Sequence, residues 1–328
     1  MNIFWLGVAV AGILNGTFAV PLKRARAWKF EHIWGVFSLL AMVVIPWSAV
    51  VWAVPGWRGI LATVPGPALG SLILLGLLWG VASLLYGLAI DLLGIALGFA
   101  IQLGLSIVAG SLVPFALIRG FSARTLSDAA FLAGVGLMVV GVVVCARAGR
   151  STESVSVSSA RFRKGLVIAV LGGLGSPLLN FGIQYGISLL PNSAEGASLG
   201  QWVIWSVFLS AAAVSQAGFC FYRIAVTKQM YLFHAPGWGH DFVLVVGMSV
   251  LWAVSIFLYG VSAADLGRLG TSFGWPVFIG LIAITASAWG VVLGEWKNRP
   301  RSRLRQMIGG CAILITAAFI IGQARANW

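Results

Sequence analysis

The chain is predicted to be an all-α integral membrane protein of ten transmembrane helices, built as two inverted five-helix repeats. Three observations carry that expectation: ten long apolar runs, a tryptophan–tyrosine motif that recurs 173 residues downstream, and basic residues crowded into alternate connections. Each is taken in turn.

Of 328 residues 60% are hydrophobic and only 9% are charged, with 42 glycines, a composition outside the range of soluble domains. The charges are excluded from the apolar runs rather than diluted among them. About 20 apolar residues at 1.5 Å rise cross a hydrocarbon core of about 30 Å. The runs are Ile3 to Leu22, His32 to Val54, Ala68 to Ile90, Gly94 to Ile118, Asp128 to Ala148, Lys164 to Leu189, Ser198 to Tyr222, His240 to Ser262, Arg268 to Gly294 and Leu304 to Gln323. None alternates as a membrane strand would, which leaves helices. The many glycines suit close helix packing in lipid.

The net charge of +13 would suggest nucleic acid on a soluble domain, but its placement argues for orientation instead. The odd-numbered connections hold 16 Lys/Arg and the opposite side five, Arg58, Arg119, Arg124, Arg268 and Arg325. The positive-inside rule then places the odd connections in the cytoplasm and both termini outside. No basic segment precedes Ile3, so the first run is expected to stay in the mature protein as a helix rather than be cleaved as a signal. Cys145, Cys220 and Cys311, each in or beside a span, read as small core residues rather than a disulfide framework or metal site. No cofactor is called for.

The repeat is legible around Leu78-Trp79 to Leu93-Gly94 and Leu251-Trp252 to Leu266-Gly267, where eight of 17 aligned positions agree. A serine-rich, charged interruption divides the chain into a first repeat, 1–148, a cytoplasmic linker, 149–163, and a second repeat, 164–328. Five helices is an odd number, so the second repeat enters the membrane upside down. Inverted repeats that exchange conformations are the physical basis of alternating access, with the substrate site at their interface.

Spread over both halves are Pro21-Leu22-Lys23 with Trp28, Trp34, Pro46-Trp47, Trp79-Gly80, Tyr86-Gly87-Leu88, Leu93-Gly94, Lys164-Gly165-Leu166, Gly218-Phe219-Cys220-Phe221 with Arg223, Trp252, Tyr259 and Glu295-Trp296. In these stretches the chain resembles the L-rhamnose/proton symporter family, a branch of the drug/metabolite transporter superfamily. The resemblance spans nearly the whole chain. It implies proton-coupled uptake of a deoxy-sugar such as L-rhamnose across a bacterial inner membrane. The chain departs from the family pattern at Asn15, Gln102, Asn180 to Gln184 and Trp275-Pro276, where a sugar would bind. Export or exchange of another small neutral metabolite stands as the alternative.

No Lys, Arg, Asp or Glu lies at the centre of a span, where a charge costs at least about 2.5–3.5 kcal/mol. That points to a neutral substrate. The spans carry amides instead: Asn15, Gln102, Asn180 and Gln184 offer donors and acceptors together, which suits vicinal hydroxyls. Interhelical hydrogen bonding is the competing role for each, and the preferred one for Gln216. Residues seven apart share a helix face, so Trp79, Ser83 and Tyr86 form one stripe and Trp252, Ser255 and Tyr259 another. Such rings can stack on the C–H face of a pyranose. They lie too far inside their spans for an interfacial belt. Trp275 joins the candidates because it aligns with Gln102 at the 173-residue offset.

For proton coupling the candidates are Asp91, which has no basic neighbour in its connection, Asp265 beside Arg268, and Glu295 beside Lys297 and Arg299. Solvated helix-end charges are the alternative for all three. A membrane enzyme is disfavoured: the chain has no His-Glu-x-x-His, no Asp-x-Asp, no paired intramembrane acids and no phosphate-binding Gly-x-x-x-x-Gly-Lys-Ser/Thr.

Overall fold

A computed structural model describes residues 3–93, 95–119, 125–149, 159–190, 197–266, 270–294, 296–297 and 299–326. Among them lie α1 (Ile3–Thr17), α2 (Phe30–Leu39), α3 (Ile45–Ala53), α4 (Trp57–Thr63), α5 (Gly66–Leu93), α6 (Ile95–Arg119), α7 (Leu126–Ala148), α8 (Ser159–Gly175), α9 (Leu178–Ser188), α10 (Ala197–Val226), α11 (Trp238–Asp265), α12 (Gly270–Val292) and α13 (Arg301–Ala326). No strand occurs among the described residues. Ten helical stretches are long and apolar enough to cross a membrane, so the chain is an all-α, multi-pass membrane protein.

Two of those spans are interrupted at proline. Pro46 lacks the N–H that an α-helix would direct back one turn, and the second span widens into a π turn at Leu40–Val44 before α3 resumes. Pro177 breaks the sixth span, so α8 ends at Gly175 and α9 starts at Leu178. Ser176 bridges the break: its N–H donates to the Gly172 carbonyl at 2.8 Å, and its hydroxyl accepts from the Ser106 hydroxyl at 3.1 Å. Non-helical backbone at membrane depth is tolerated where protein covers it. Most of the 149–163 linker, residues 150–158, lies outside the described part; α8 is helical from Ser159.

The first span, α1, packs on α11 and α12, while α8 of the sixth packs on α5 and α6. Helix α5 lies beside α10, where Gly76 and Gly80 face the carbonyls of Phe208 and Ala212 so closely that a side chain would clash. The approach is reinforced by Ser215, whose hydroxyl donates to the Leu77 carbonyl at 3.0 Å. Helices α7 and α13 form a second seam, with Gly141 against Leu314 and Gly310 against Cys145. Val51, Trp52, Leu117, Val214, Val243 and Phe319 remain exposed, as expected where lipid is the solvent.

Candidate functional site

The seven-residue spacing on α5 and α11 places each stripe along one face, and the two stripes touch at their tryptophans. The Trp79 and Trp252 rings stack with centroids 6.0 Å apart and planes 21° from parallel. Phe37 of α2 meets Trp252 edge-on at 5.8 Å, and Phe208 of α10 lies against Trp79 at 6.0 Å. Both tryptophans are buried, at 8% and 6% exposure. One helical turn along α11, the Ser255 hydroxyl accepts a hydrogen bond from Asn15 Nδ2 at 3.0 Å. The first amide candidate therefore sits beside the indole pair.

A second polar cluster surrounds Tyr259. Its hydroxyl donates to Asn180 Oδ1 at 2.6 Å, and Asn180 Nδ2 donates to the carbonyls of Gly110 at 3.1 Å and Thr271 at 3.3 Å. The Thr271 hydroxyl donates to Gln184 Oε1 at 2.9 Å. Trp275 Nε1 donates to the Ser106 carbonyl at 3.0 Å. The Tyr259 ring stacks on Phe278 with centroids 4.6 Å apart and meets Trp275 edge-on at 5.8 Å. Helices α6, α9, α11 and α12 are thus joined by one network whose members satisfy one another in a water-poor interior. The break at Pro177 starts α9 two residues before Asn180, and that amide reaches both α6 and α12.

Gln102 stands apart, wedged between α5, α6 and α8. It is fully buried; its Nε2 makes a long bond of 3.4 Å to the Leu85 carbonyl and its Oε1 has no protein partner. Tyr86, next in sequence to Leu85, is partly buried and packs against the same core. Most candidates are therefore gathered around α11, but in the described conformation they pack against one another, with indole filling the space between α5 and α11.

Two features go beyond what the sequence shows. The first is the partner of Gln216: it and Ser38, both fully buried, join α2 to α10 at 3.1 Å, in the interhelical role expected of the amide. The Ser38 oxygen also lies 2.7 Å from the Trp34 carbonyl, and one hydroxyl proton cannot serve both acceptors. With the proton on Trp34, the amide must turn its nitrogen to Ser38 and leave its oxygen free; in the opposite arrangement Nε2 is unpaired. Either way one end of a buried amide is unsatisfied by protein.

The second is Asp241, in the first turns of α11 and 0% exposed. One carboxylate oxygen accepts from Arg26 N at 2.9 Å; the other accepts from Ala27 N at 2.7 Å, Trp28 N at 2.8 Å and Arg26 N at 3.1 Å. His240 Nδ1 lies 3.1 Å from the same carboxylate. The sequence shows Asp241 only as a span-end acid, since its partners are main-chain groups 213–215 residues away. Nearby, His32 Nε2 lies 2.9 Å from the Gln229 carbonyl, and Arg223 pairs with Glu31 at 3.9 Å.

The coupling candidates are placed less completely. Asp91 falls in the last turn of α5, with its side chain outside the described part. Asp265, the last residue of α11, is exposed. Glu295 lies outside the described residues.

Comparison with known proteins bears on the whole chain. A family model described as L-rhamnose-proton symport protein matches residues 1–327. L-rhamnose-proton symporters of Escherichia coli O1:K1, Escherichia coli O157:H7 and Shigella dysenteriae serotype 1 are each 26% identical over 345 residues, covering 100% of this chain and 98% of theirs. A solved crystal structure shares the fold with a TM-score of 0.67 at 16% identity, over 100% of this chain and 99% of the other. With the family model covering residues 1–327, the chain belongs to the L-rhamnose-proton symport protein family.

Proposed function

We propose that this protein is a secondary active transporter that takes up a neutral deoxy-sugar, L-rhamnose or a close relative, together with protons, by alternating access in a bacterial inner membrane. The reading rests on family membership and on one structural observation: the Trp79–Trp252 stack, where the two motif helices meet at the heart of the fold. Indole faces that pack on one another in a closed conformation are available to the C–H face of a pyranose when the helices part. Asn15 with Ser255, Asn180 with Tyr259, Gln184 and Gln102 supply donors and acceptors for its hydroxyls. Tyr86 and Trp275 complete the aromatic lining.

The packing of α1 on α11 and α12, matched by that of α8 on α5 and α6, supports two repeats of opposite sense, as in the drug/metabolite transporter superfamily. The charge pattern supports periplasmic termini and a cytoplasmic 149–163 linker.

The decisive measurement is transport in proteoliposomes. Labelled L-rhamnose should undergo counterflow, and an inwardly directed pH gradient should drive its accumulation. Failure to exchange any member of a panel of deoxy-sugars would overturn the substrate class, and accumulation indifferent to the gradient would overturn the coupling. For orientation, a reporter active only in the cytoplasm should be silent when fused after Trp328 and active within Ser151 to Ser159.

A further inference from the structure

Two of the three cysteines, 166 residues apart, meet in the seam between α7 and α13. Cys145 Sγ lies 4.0 Å from Cys311 Sγ, and Cys311 Sγ lies 3.8 Å from the thioether sulfur of Met307. Met307 and Cys311 are four residues apart on α13 and so share a face. Cys145 reaches them because Gly310 presents no side chain in its path. Cys311 Sγ thus has a soft donor on either side, and Cys145 Sγ lies 3.8 Å from the Met307 carbonyl. Both cysteines are partly exposed, which leaves the cluster reachable, while Met307 is buried.

Metal–sulfur bonds of about 2.3 Å place trigonally arranged sulfurs about 4 Å apart, close to the separations seen here. Thiolate and thioether together select soft ions such as Cu(I) over magnesium, calcium or manganese. Among the described residues no three His, Cys, Asp or Glu side chains gather to hold a metal, so it is the methionine that completes this set. Arg303 donates from Nη1 to the Arg147 carbonyl at 3.0 Å, across the same seam and two residues from Cys145.

We infer that Cys145, Cys311 and Met307 form a binding site for one soft monovalent cation of the Cu(I) or Ag(I) type. On binding, each thiol releases its proton to solvent and forms a sulfur–metal bond, and the thioether donates a lone pair. The resulting complex carries one negative charge. The bound ion fastens α7 to α13. The site is independent of the sugar reading.

The test is titration of the reduced, detergent-solubilised full chain with Ag(I) in the presence of excess small monothiol, so that isolated thiols are outcompeted. Native mass spectrometry counts the ions retained. Wild type and Cys220→Ser should retain one; Cys145→Ser and Cys311→Ser should retain none. Met307→Leu, which keeps volume and both thiols, should weaken retention roughly tenfold or more. Monodisperse elution and a melting temperature in detergent at the wild-type level confirm that each variant is folded. Absence of retained silver in the wild type, or equal retention by the folded Cys145 and Cys311 variants, would overturn the site. Unaltered retention by Met307→Leu would overturn the three-sulfur assignment.

Discussion

Trp79 and Trp252 occupy equivalent positions in motifs 173 residues apart, and their indoles stack face to face at 6.0 Å. An aromatic pair contributes about 0.5–1.5 kcal/mol beyond its buried area, so the closed arrangement is held in part by the groups proposed to receive the sugar. Closing the binding faces on each other keeps them from presenting unfilled apolar surface when no sugar is bound.

Replacing either tryptophan by Ala should therefore raise the KM for rhamnose counterflow roughly tenfold or more, the equivalent of about 1.4 kcal/mol. Phe at either site should restore part of the affinity. Because the rings touch, the double Ala variant should lose less than the sum of the single losses. Equal KM in wild type and both Ala variants, with each protein shown to be folded, would remove the stack from the binding site.

Among the described residues, the Tyr259 hydroxyl is the one group that donates to Asn180 Oδ1, at 2.6 Å with both residues buried. Tyr259→Phe leaves that oxygen without its donor, at a cost of about 1–3 kcal/mol. The expected outcome is a lower melting temperature in detergent, together with weaker sugar binding. Added rhamnose should stabilise wild type more than the variant. If the two melt alike with and without sugar, the bond serves neither stability nor binding.

The ten spans and the α5/α11 stripes were legible because apolar length and a seven-residue spacing are local properties of a chain. The indole stack was half legible: the motif marked Trp79 and Trp252, but nothing local says that two equivalent faces meet. Phe37 and Phe208, which flank the stack, belong to no repeat and look like any apolar residue in lipid-facing sequence. Ser106, Thr271 and Gly110 contribute main-chain or hydroxyl groups to the Trp275, Gln184 and Asn180 contacts, so residue type gave little signal. Gln216 had been assigned to helix–helix bonding, and its bond to Ser38 agrees with that role while leaving one amide end unpaired. The Cys145–Cys311 approach was invisible because it depends on glycines spaced along the α7–α13 seam.

Asp241 ties the connection between α1 and α2 to the start of α11, through three consecutive backbone N–H groups. Hydrogen bonds to a charged group are worth about 1.5–3 kcal/mol each. Asn keeps one acceptor oxygen but turns an N–H₂ toward amide donors, so Asp241→Asn should release the connection. Cysteine introduced at Ala27 should then react with a small hydrophilic maleimide roughly tenfold faster or more than in the Asp241 background, corresponding to loss of at least about 1.4 kcal/mol. An unchanged rate would show that the clamp does not limit opening on that face.

Under the proposed transport cycle, proton coupling is expected at a carboxylate free to change surroundings between conformations. Asp91 is the leading choice because its connection supplies no Lys or Arg to hold it ionised, and because α5, which carries it, also carries Trp79 and Tyr86. Movement of α5 against α11 would alter the burial of both the aromatic stripe and the end of the helix. Asp265 ends α11, the partner helix, and is exposed in the described conformation. Uphill uptake requires proton binding on one side and release on the other, whereas counterflow requires only exchange of sugar. Asp91→Asn should therefore abolish accumulation driven by a pH gradient while sparing counterflow, and Asp265→Asn should leave both intact. Accumulation that persists in Asp91→Asn with unchanged pH dependence would exclude Asp91; its loss in Asp265→Asn alone would move the coupling role to α11.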